Sequence, residues 1–495
     1  MLANHNDLHA DHRKNAAQWI SNLTIVGCLT LALCGCAAIA PQPTAPVAVA
    51  VPTAWSTVVI AAPNGSSSLV QWWSRFNDPL LSNLVSQALQ ANTSIKSAEA
   101  VLQQTRALRD VSAAALLPVV GSSASARRSQ VGSNSAVNSF EAGLDASWEL
   151  DLFGANRSAL DASDATVLAS AATLGDVQVS IAAEIALDYI ALRGAQVLLA
   201  IANDNLSSQL ETLQIAQWRL QAGLVTSLEV EQARTEAEQT RAQLPVLQTS
   251  IEQSRYALAV LIGQPPAALS TVLTASGPVP QTDDNLALSL PAETLRQRPD
   301  VRAAEDQVTA AIARVAQADA ALAPNFQIGG SLGLSALTLG ALTHGASVVS
   351  VLLASVSLPV FDGGALRAQV RAQQAVLDQA YMAYQAAVLT ALKDVEDALV
   401  ALRNDRERLL YLQRAAEAAV NAALLARQRY GSGLVDFQTV LDTQRTQLNT
   451  QYSVATARAT LSADHVRLYK ALGGGWNPNG GDATAALTES RTYRP

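Results

Sequence analysis

The sequence predicts a mainly α-helical protein with a membrane β-barrel portion, built by duplication of a strand pair plus long coiled-coil helices. Two proline-free runs lead to this reading, one from Gly154 to Gly223 and one from Gly364 to Gly433. Each spans 69 positions, and the two are offset by 210. A helix of that length reaches about 100 Å, too far for an ordinary globular domain. Each run follows strand-like segments that end at Phe153 or Phe361. Apolar residues make up 49% of the chain but aromatics only 4%, which suits close-packed long helices better than a bulky core.

The N-terminus has the layout of a processing segment. Arg13 and Lys14 precede an apolar stretch from Trp19 to Leu33, and Leu33-Cys34-Gly35-Cys36 resembles the lipobox of bacterial lipoproteins. That resemblance implies a lipoprotein signal peptide over 1–35, cleavage before Cys36 and lipidation of its sulfur. The alternative is an ordinary secretory signal cut nearby. Residues 36–67, with Pro41, Pro43, Pro46, Pro52 and Pro63, read as a lipidated N-terminal tether in extended form.

The first repeat covers 68–290. A helix is expected from Asp78 to Leu116, stopped by Pro118. Strands follow over 118–131 and 139–152. In the second, Phe140, Ala142, Leu144, Ala146, Trp148, Leu150 and Leu152 alternate with polar and acidic residues. One face is apolar and the other polar. Glu141, Asp145, Glu149 and Asp151 are candidates to line a water-filled lumen. A long helix over 154–222 carries Ile185, Leu192, Leu199, Leu206, Leu213 and Leu220 in heptad register. Gly223-Leu224-Val225 then reverses the chain into a helix from Thr226 to Ile262, with Pro245 predicted to kink it.

The second repeat covers 291–476 and has the same plan. A helix over 298–322 leads to strands over 325–336 and 346–361. No Asp, Glu, Lys or Arg occurs between Ala320 and Phe361. Alternation, glycines and Pro359 favour a membrane β-hairpin there over a transmembrane helix. A long helix over 363–431 keeps heptad step through Val370, Leu377, Tyr384, Ala391 and Ala398, then slips by four to Leu402 and Leu409. Gly433-Leu434-Val435 turns the chain back to Leu472, and 477–495 is a C-terminal tail. By length, the helices at 226–262 and 298–322 together match one long helix, as if they climbed back in line. Four strands do not close a membrane barrel and open edges are not tolerated in lipid, so strands of other copies must complete it. The sequence alone does not fix how many copies.

The net charge of −8 argues against a nucleic-acid partner. After cleavage only Cys36, His344 and His465 would remain of the cysteines and histidines, leaving no Cys/His metal set and no Cys–His pair. The sequence therefore predicts no catalytic residues, no metal and no cofactor beyond a covalent N-terminal lipid.

Several motifs carry a family resemblance from Ser68 to Trp476. They are Trp72-Trp73-Ser74-Arg75-Phe76-Asn77-Asp78-Pro79-Leu80, Trp148-Glu149-Leu150-Asp151-Leu152-Phe153-Gly154, Arg298-Pro299-Asp300-Val301 and Val360-Phe361-Asp362-Gly363-Gly364. The turns Arg219-Leu220-Gln221-Ala222-Gly223-Leu224 and Arg429-Tyr430-Gly431-Ser432-Gly433-Leu434 complete the set. In this order the chain resembles the outer membrane factor (TolC-like) family, in its lipidated NodT/OprM-type branch. The resemblance implies a homotrimer, with a 12-stranded β-barrel in outer membrane lipid on a 12-helix α-barrel in the periplasm. It implies a passive exit duct for small toxic compounds, partnered by a periplasmic adaptor (membrane fusion) protein and an inner-membrane pump. Gly223, Leu224, Val225, Gly433, Leu434 and Val435 would be adaptor-docking tips, and Asp436 a candidate gate residue. The alternatives are a secretion duct for proteins or peptides, and a coiled-coil envelope scaffold without a pore.

Overall fold

A computed structural model describes residues 51–56, 69–282 and 291–477. The expected signal peptide, Cys36 and nearly all of the expected tail lie outside these residues, as does most of the expected tether. In chain order the elements are α1 (Pro79–Ala91), α2 (Thr93–Ala114), β1 (Val119–Ser129), β2 (Val137–Leu150), α3 (Ala155–Gln221) and α4 (Ser227–Leu261). The second half holds α5 (Pro291–Gln297), α6 (Pro299–Ala320), β3 (Asn325–Ala336), β4 (Val348–Ser357), α7 (Ala365–Gly431) and α8 (Phe437–Ala471).

Local chemistry sets the boundaries. The Asp78 carboxylate accepts the Leu80 and Leu81 N–H groups at 2.9 and 3.0 Å and starts α1. The single helix expected over 78–116 is instead two. Asn92 breaks it, because its side chain accepts the Ser94 and Ile95 N–H groups and so starts α2 afresh. α4 runs through Pro245 without interruption. Four helices end on a glycine with positive φ: Gly223 (70°), Gly263 (73°), Gly433 (72°) and Gly473 (74°). At each, the next N–H bonds back to a carbonyl five residues earlier, as in Leu224 to Arg219 and Leu434 to Arg429.

α3 is the central helix, packed against α2, α4, α6 and α8. It is also the one helix among the described residues apolar enough to cross a membrane by composition. Its apolar residues serve the protein interior instead, since Ile185, Tyr189, Ile190 and Leu192 are buried at 0–2% exposure. The heptad seam is buried at Ile185, Leu192 and Leu206, with Leu220 exposed near the turn.

The shorter helices stack differently from the expected α4–α6 line. α4 abuts α2, because Asn92 Nδ2 donates to the Leu261 carbonyl at 2.8 Å. α8 abuts α6, because Arg298 Nη1 donates to the Ala471 carbonyl at 3.0 Å. Each junction sets a helix C-terminus against a helix N-terminus, the favourable order of the two macrodipoles. The chain between α4 and α6 therefore changes columns partway up. A core at this height gathers Trp72, Trp73, Phe76, Leu81, Leu84 and Tyr469 around α3. Trp72 stacks on Tyr469 with centroids 5.2 Å apart. Tyr189 Oη donates to Asp78 Oδ2 at 2.8 Å, tying α3 to the α1 cap.

The four strands form one antiparallel sheet in the order β1-β2-β3-β4. The two hairpins join at β2–β3, with Leu144 opposite Leu332 and Trp148 opposite Ile328. β4 is shorter than the expected 346–361. Helical turns occupy Leu339–Ser347 before it, and pairing stops at Ser357 ahead of Pro359. The tether residues within the described set are docked. Ser56 donates its N–H and hydroxyl to Glu396 of α7 at 2.7 and 2.6 Å.

Gly223 and Gly263 share a left-handed conformation but not their surroundings. A Cβ at Gly223 meets open space, whereas one at Gly263 would sit 2.6 Å from the Ala91 carbonyl oxygen. Gly223→Ala should cost about 1–2 kcal/mol from backbone strain alone. Gly263→Ala should lower the thermal midpoint, read by circular dichroism, clearly further. Equal shifts would contradict the packed α4–α2 junction.

Candidate functional site

The sheet is a single layer with both faces uncovered, and every residue of β1 and β4 is exposed. One face carries Leu144, Trp148, Leu332, Leu352 and Val356, exposed by 39–84%. A row of this size on a water-soluble monomer is an aggregation hazard, whereas facing lipid it is the expected outer band of a barrel. Strand lengths of 10–14 residues match those of membrane-spanning strands. Trp148 lies toward the helical end, where its Nε1 donates to the Leu116 carbonyl at 3.0 Å. Phe153 and Phe326 meet beside it with centroids 6.4 Å apart. Aromatic side chains at this junction suit a membrane–water boundary.

The opposite face carries Glu141, Asp145 and Glu149. Ser123 donates to Asp145 at 3.0 Å and Ser125 to Glu141 at 3.5 Å, so two of the carboxylates are engaged by β1 hydroxyls. Asp151 does not join them. It lies past the end of β2, and its two oxygens accept the Asn156 and Arg157 N–H groups at 3.1 and 2.8 Å. Its work is to start α3, as Asp362 starts α7 through the Gly364 and Leu366 N–H groups. β4 breaks the expected alternation. Val349 and Val351 pair with Gly333 and Ser331, so apolar side chains reach the acidic face as well. The outer edges of β1 and β4 have no strand beside them among the described residues.

The far ends of α3–α4 and α7–α8 are the two turns. Leu224 and Leu434 stand out at 70% and 74% exposure. Val225 and Val435 are half-buried behind them. Next to the first turn, Thr212, Ile215, Trp218, Leu224, Arg427 and Tyr430 line a groove of about 410 Å³. Asp436 is exposed, and its Oδ1 accepts the Thr439 N–H and hydroxyl, which caps α8. The Thr439 hydroxyl first, and then its N–H, hold this carboxyl below the usual range.

A bridge between the two hairpins escaped the sequence reading. Tyr430 of α7 donates its hydroxyl to Glu229 of α4 at 2.7 Å. Arg219 of α3 lies over the Tyr430 ring, 4.4 Å from its centroid. Beneath them Ala216, Val230, Ala233, Phe437 and Leu441 form a small shared core. Burial, and then the bond to Glu229, raise the Tyr430 hydroxyl above its ordinary value, so it stays a donor at neutral pH. The only sequence signal was the aromatic at Tyr430 beside the glycine turn. Further up, Asn205 of α3 donates to Gln451 of α8 at 2.7 Å, and Arg445 of α8 pairs with Glu236 of α4. Among the described residues, no group of three or more His, Cys, Asp or Glu side chains is placed to hold a metal.

Known proteins place this geometry. The sequence profile of the outer membrane efflux protein family matches residues 84–264 and 290–474, one block per repeat. The pyoverdine export outer membrane protein OpmQ of Pseudomonas aeruginosa is 32% identical over 472 residues, covering 92% of this chain and 97% of OpmQ. The probable efflux pump outer membrane protein SepC of Pseudomonas putida is 30% identical, covering 91% of this chain and 96% of SepC. The solved outer-membrane channel OprN is similar in structure with a TM-score of 0.81 at 36% identity, covering 87% of this chain and 99% of that one. The chain belongs to the outer membrane efflux protein family, whose members are channel proteins of the outer membrane with the TolC-like fold.

Proposed function

We propose that three copies of this chain assemble into the exit duct of a tripartite efflux pump. The carrying observation is the uncovered four-stranded sheet with free β1 and β4 edges. Three such sheets joined edge to edge give twelve strands, enough for an open lumen, whereas two give eight, a barrel filled by side chains. The apolar row then meets lipid, and Glu141, Asp145 and Glu149 line the water path. The helices below continue the duct into the periplasm. Transport through this chain is passive, without catalysis or cofactor, and an inner-membrane pump supplies the energy. Small toxic compounds are the cargo class that fits the efflux-pump relatives.

The Gly-Leu-Val turns are the docking tips for a periplasmic adaptor protein. Support comes from Leu224 and Leu434, large apolar side chains held out at the extreme ends of both hairpins. Cys36 carries the lipid, and the docked segment at Ser56 leads from it onto α7. At the tips, the Tyr430–Glu229 and Arg219–Tyr430 contacts hold the hairpins together and make the entrance a closed gate. Asp436 supports that gate indirectly, by fixing the start of α8.

Leu224→Glu or Leu434→Glu should leave assembly intact and abolish efflux, seen as drug susceptibility equal to that of a deletion strain. Normal resistance would remove the docking role. Tyr430→Phe deletes a bond worth about 1 kcal/mol, so gate opening in planar bilayers should rise about fivefold per copy. Unchanged conductance would place the gate elsewhere. Cys36→Ser should eliminate acyl mass from the mature protein, and an unaltered lipid-bearing mass would refute the anchor.

A further inference from the structure

We propose that Arg314 of α6 heads a binding station for small organic carboxylates, in a cavity just below the sheet. The cavity measures about 490 Å³, within the size range of small-molecule sites. Its lining takes Ser112 from α2, Ser163 and Thr166 from α3, Gln317 beside Arg314 from α6, and Gln369 and Gln373 from α7. Arg314 is the one charged side chain in that lining, and no carboxylate shares the cavity with it. It is half-buried. Its one hydrogen bond to a described residue is long, from Nη2 to Thr166 Oγ1 at 3.5 Å. Arg109 of α2 shows the contrast, since Asp164 holds it at 2.8 Å.

A guanidinium partly withdrawn from water, with no counter-charge, gains from an anion that reaches it. The neighbouring groups select which anion. The Ser163 and Thr166 hydroxyls donate to the Ala159 and Ala162 carbonyls within α3. The donors left for a ligand are the Arg314 fork and the amides of Gln317, Gln369 and Gln373, which bond to no described residue. One positive charge on a planar fork matches a carboxylate, with one negative charge and two oxygens. A phosphate dianion would bring a second charge that no cation in the cavity meets. Ala162 and Ala318 also line the cavity and leave room for an apolar body behind the carboxylate.

The helix order places the cavity on one side of the wall. α3 packs against α2 and α6, and α6 against α7. One cavity touched by all four lies where the outer two converge, on the concave side. Within the duct reading that side is the lumen. Arg314 stands six residues before the end of α6, about 9 Å below the sheet. The luminal placing rests on the duct reading, whereas the cavity and its unmatched cation do not. The duplication supplies a comparison. Arg314 and Gln317 precede Pro324 as Leu108 and Val111 precede Pro118. The first repeat therefore carries no such cation, and each copy has one station.

Calorimetric titration of the full-length protein in detergent tests the site, with benzoate as the probe and uncharged benzyl alcohol as its control. The protein should bind benzoate and not benzyl alcohol. Arg314→Gln should weaken benzoate binding by about tenfold or more, as for loss of a hydrogen bond to a charged group. Arg314→Lys, which keeps the charge and loses the fork, should fall between. Arg371→Gln removes a cation that lies between Gln369 and Gln373 in sequence but outside the lining, and it should bind benzoate normally. Equal benzoate affinity with and without Arg314, equal affinity for the two probes, or an equal loss in Arg371→Gln would overturn the proposal. The reversal potential in planar bilayers at low salt separates the site from the duct reading. Arg314→Gln should shift it toward cation selectivity. Benzoate binding that depends on Arg314 without such a shift would uphold the site and contradict its place on the lumen.

Discussion

A strand edge inside a bilayer has no water to satisfy its N–H and C=O groups. The organisation of this chain answers that constraint. The described residues form four strands with two free edges, and in the proposed assembly other copies complete the sheet. In the proposed trimer, pairing β4 of one copy with β1 of the next satisfies both edges and keeps the apolar row on one side. The same closure fixes the number of helical columns beneath. Four columns per copy descend from the sheet: α3, α7, and the stacked pairs α2–α4 and α6–α8.

A second constraint is length. α3 and α7 have 67 residues each. A mismatch would set the two turns at different distances from the sheet. The composite columns meet the same requirement by stacking, and this is why Asn92 and Arg298 matter. Each links a helix end to a helix start with a side-chain bond to a terminal carbonyl, preserving the column across a chain break. The core around Trp72 and Tyr469 sits beside these junctions, where α1 and the ends of both repeats come together.

Most of the architecture was readable because it is periodic. The heptads of α3, the alternation of β2 and the 210-residue offset of four glycine turns are patterns that one sequence displays by itself. What was not readable depended on contacts between distant segments. Asn92 looked like an interior helical residue until its carboxamide was seen capping α2 and holding the end of α4. Asp151 continued the acidic parity of β2, yet its place past the strand end turns it into a helix cap. The Tyr430–Glu229 bridge joins residues 201 positions apart, and no local pattern announces it. The α4–α2 stacking was missed because helix lengths add equally well in either order.

The edge-closure claim is tested most directly by disulfide trapping. Single cysteines are placed along β1 near Ser123 and along β4 near Val351, and the paired variants are oxidised in native outer membranes. The account predicts cross-links only between different chains, with a ladder that ends at three. Cross-links within one chain, or a ladder that ends at two, would contradict it.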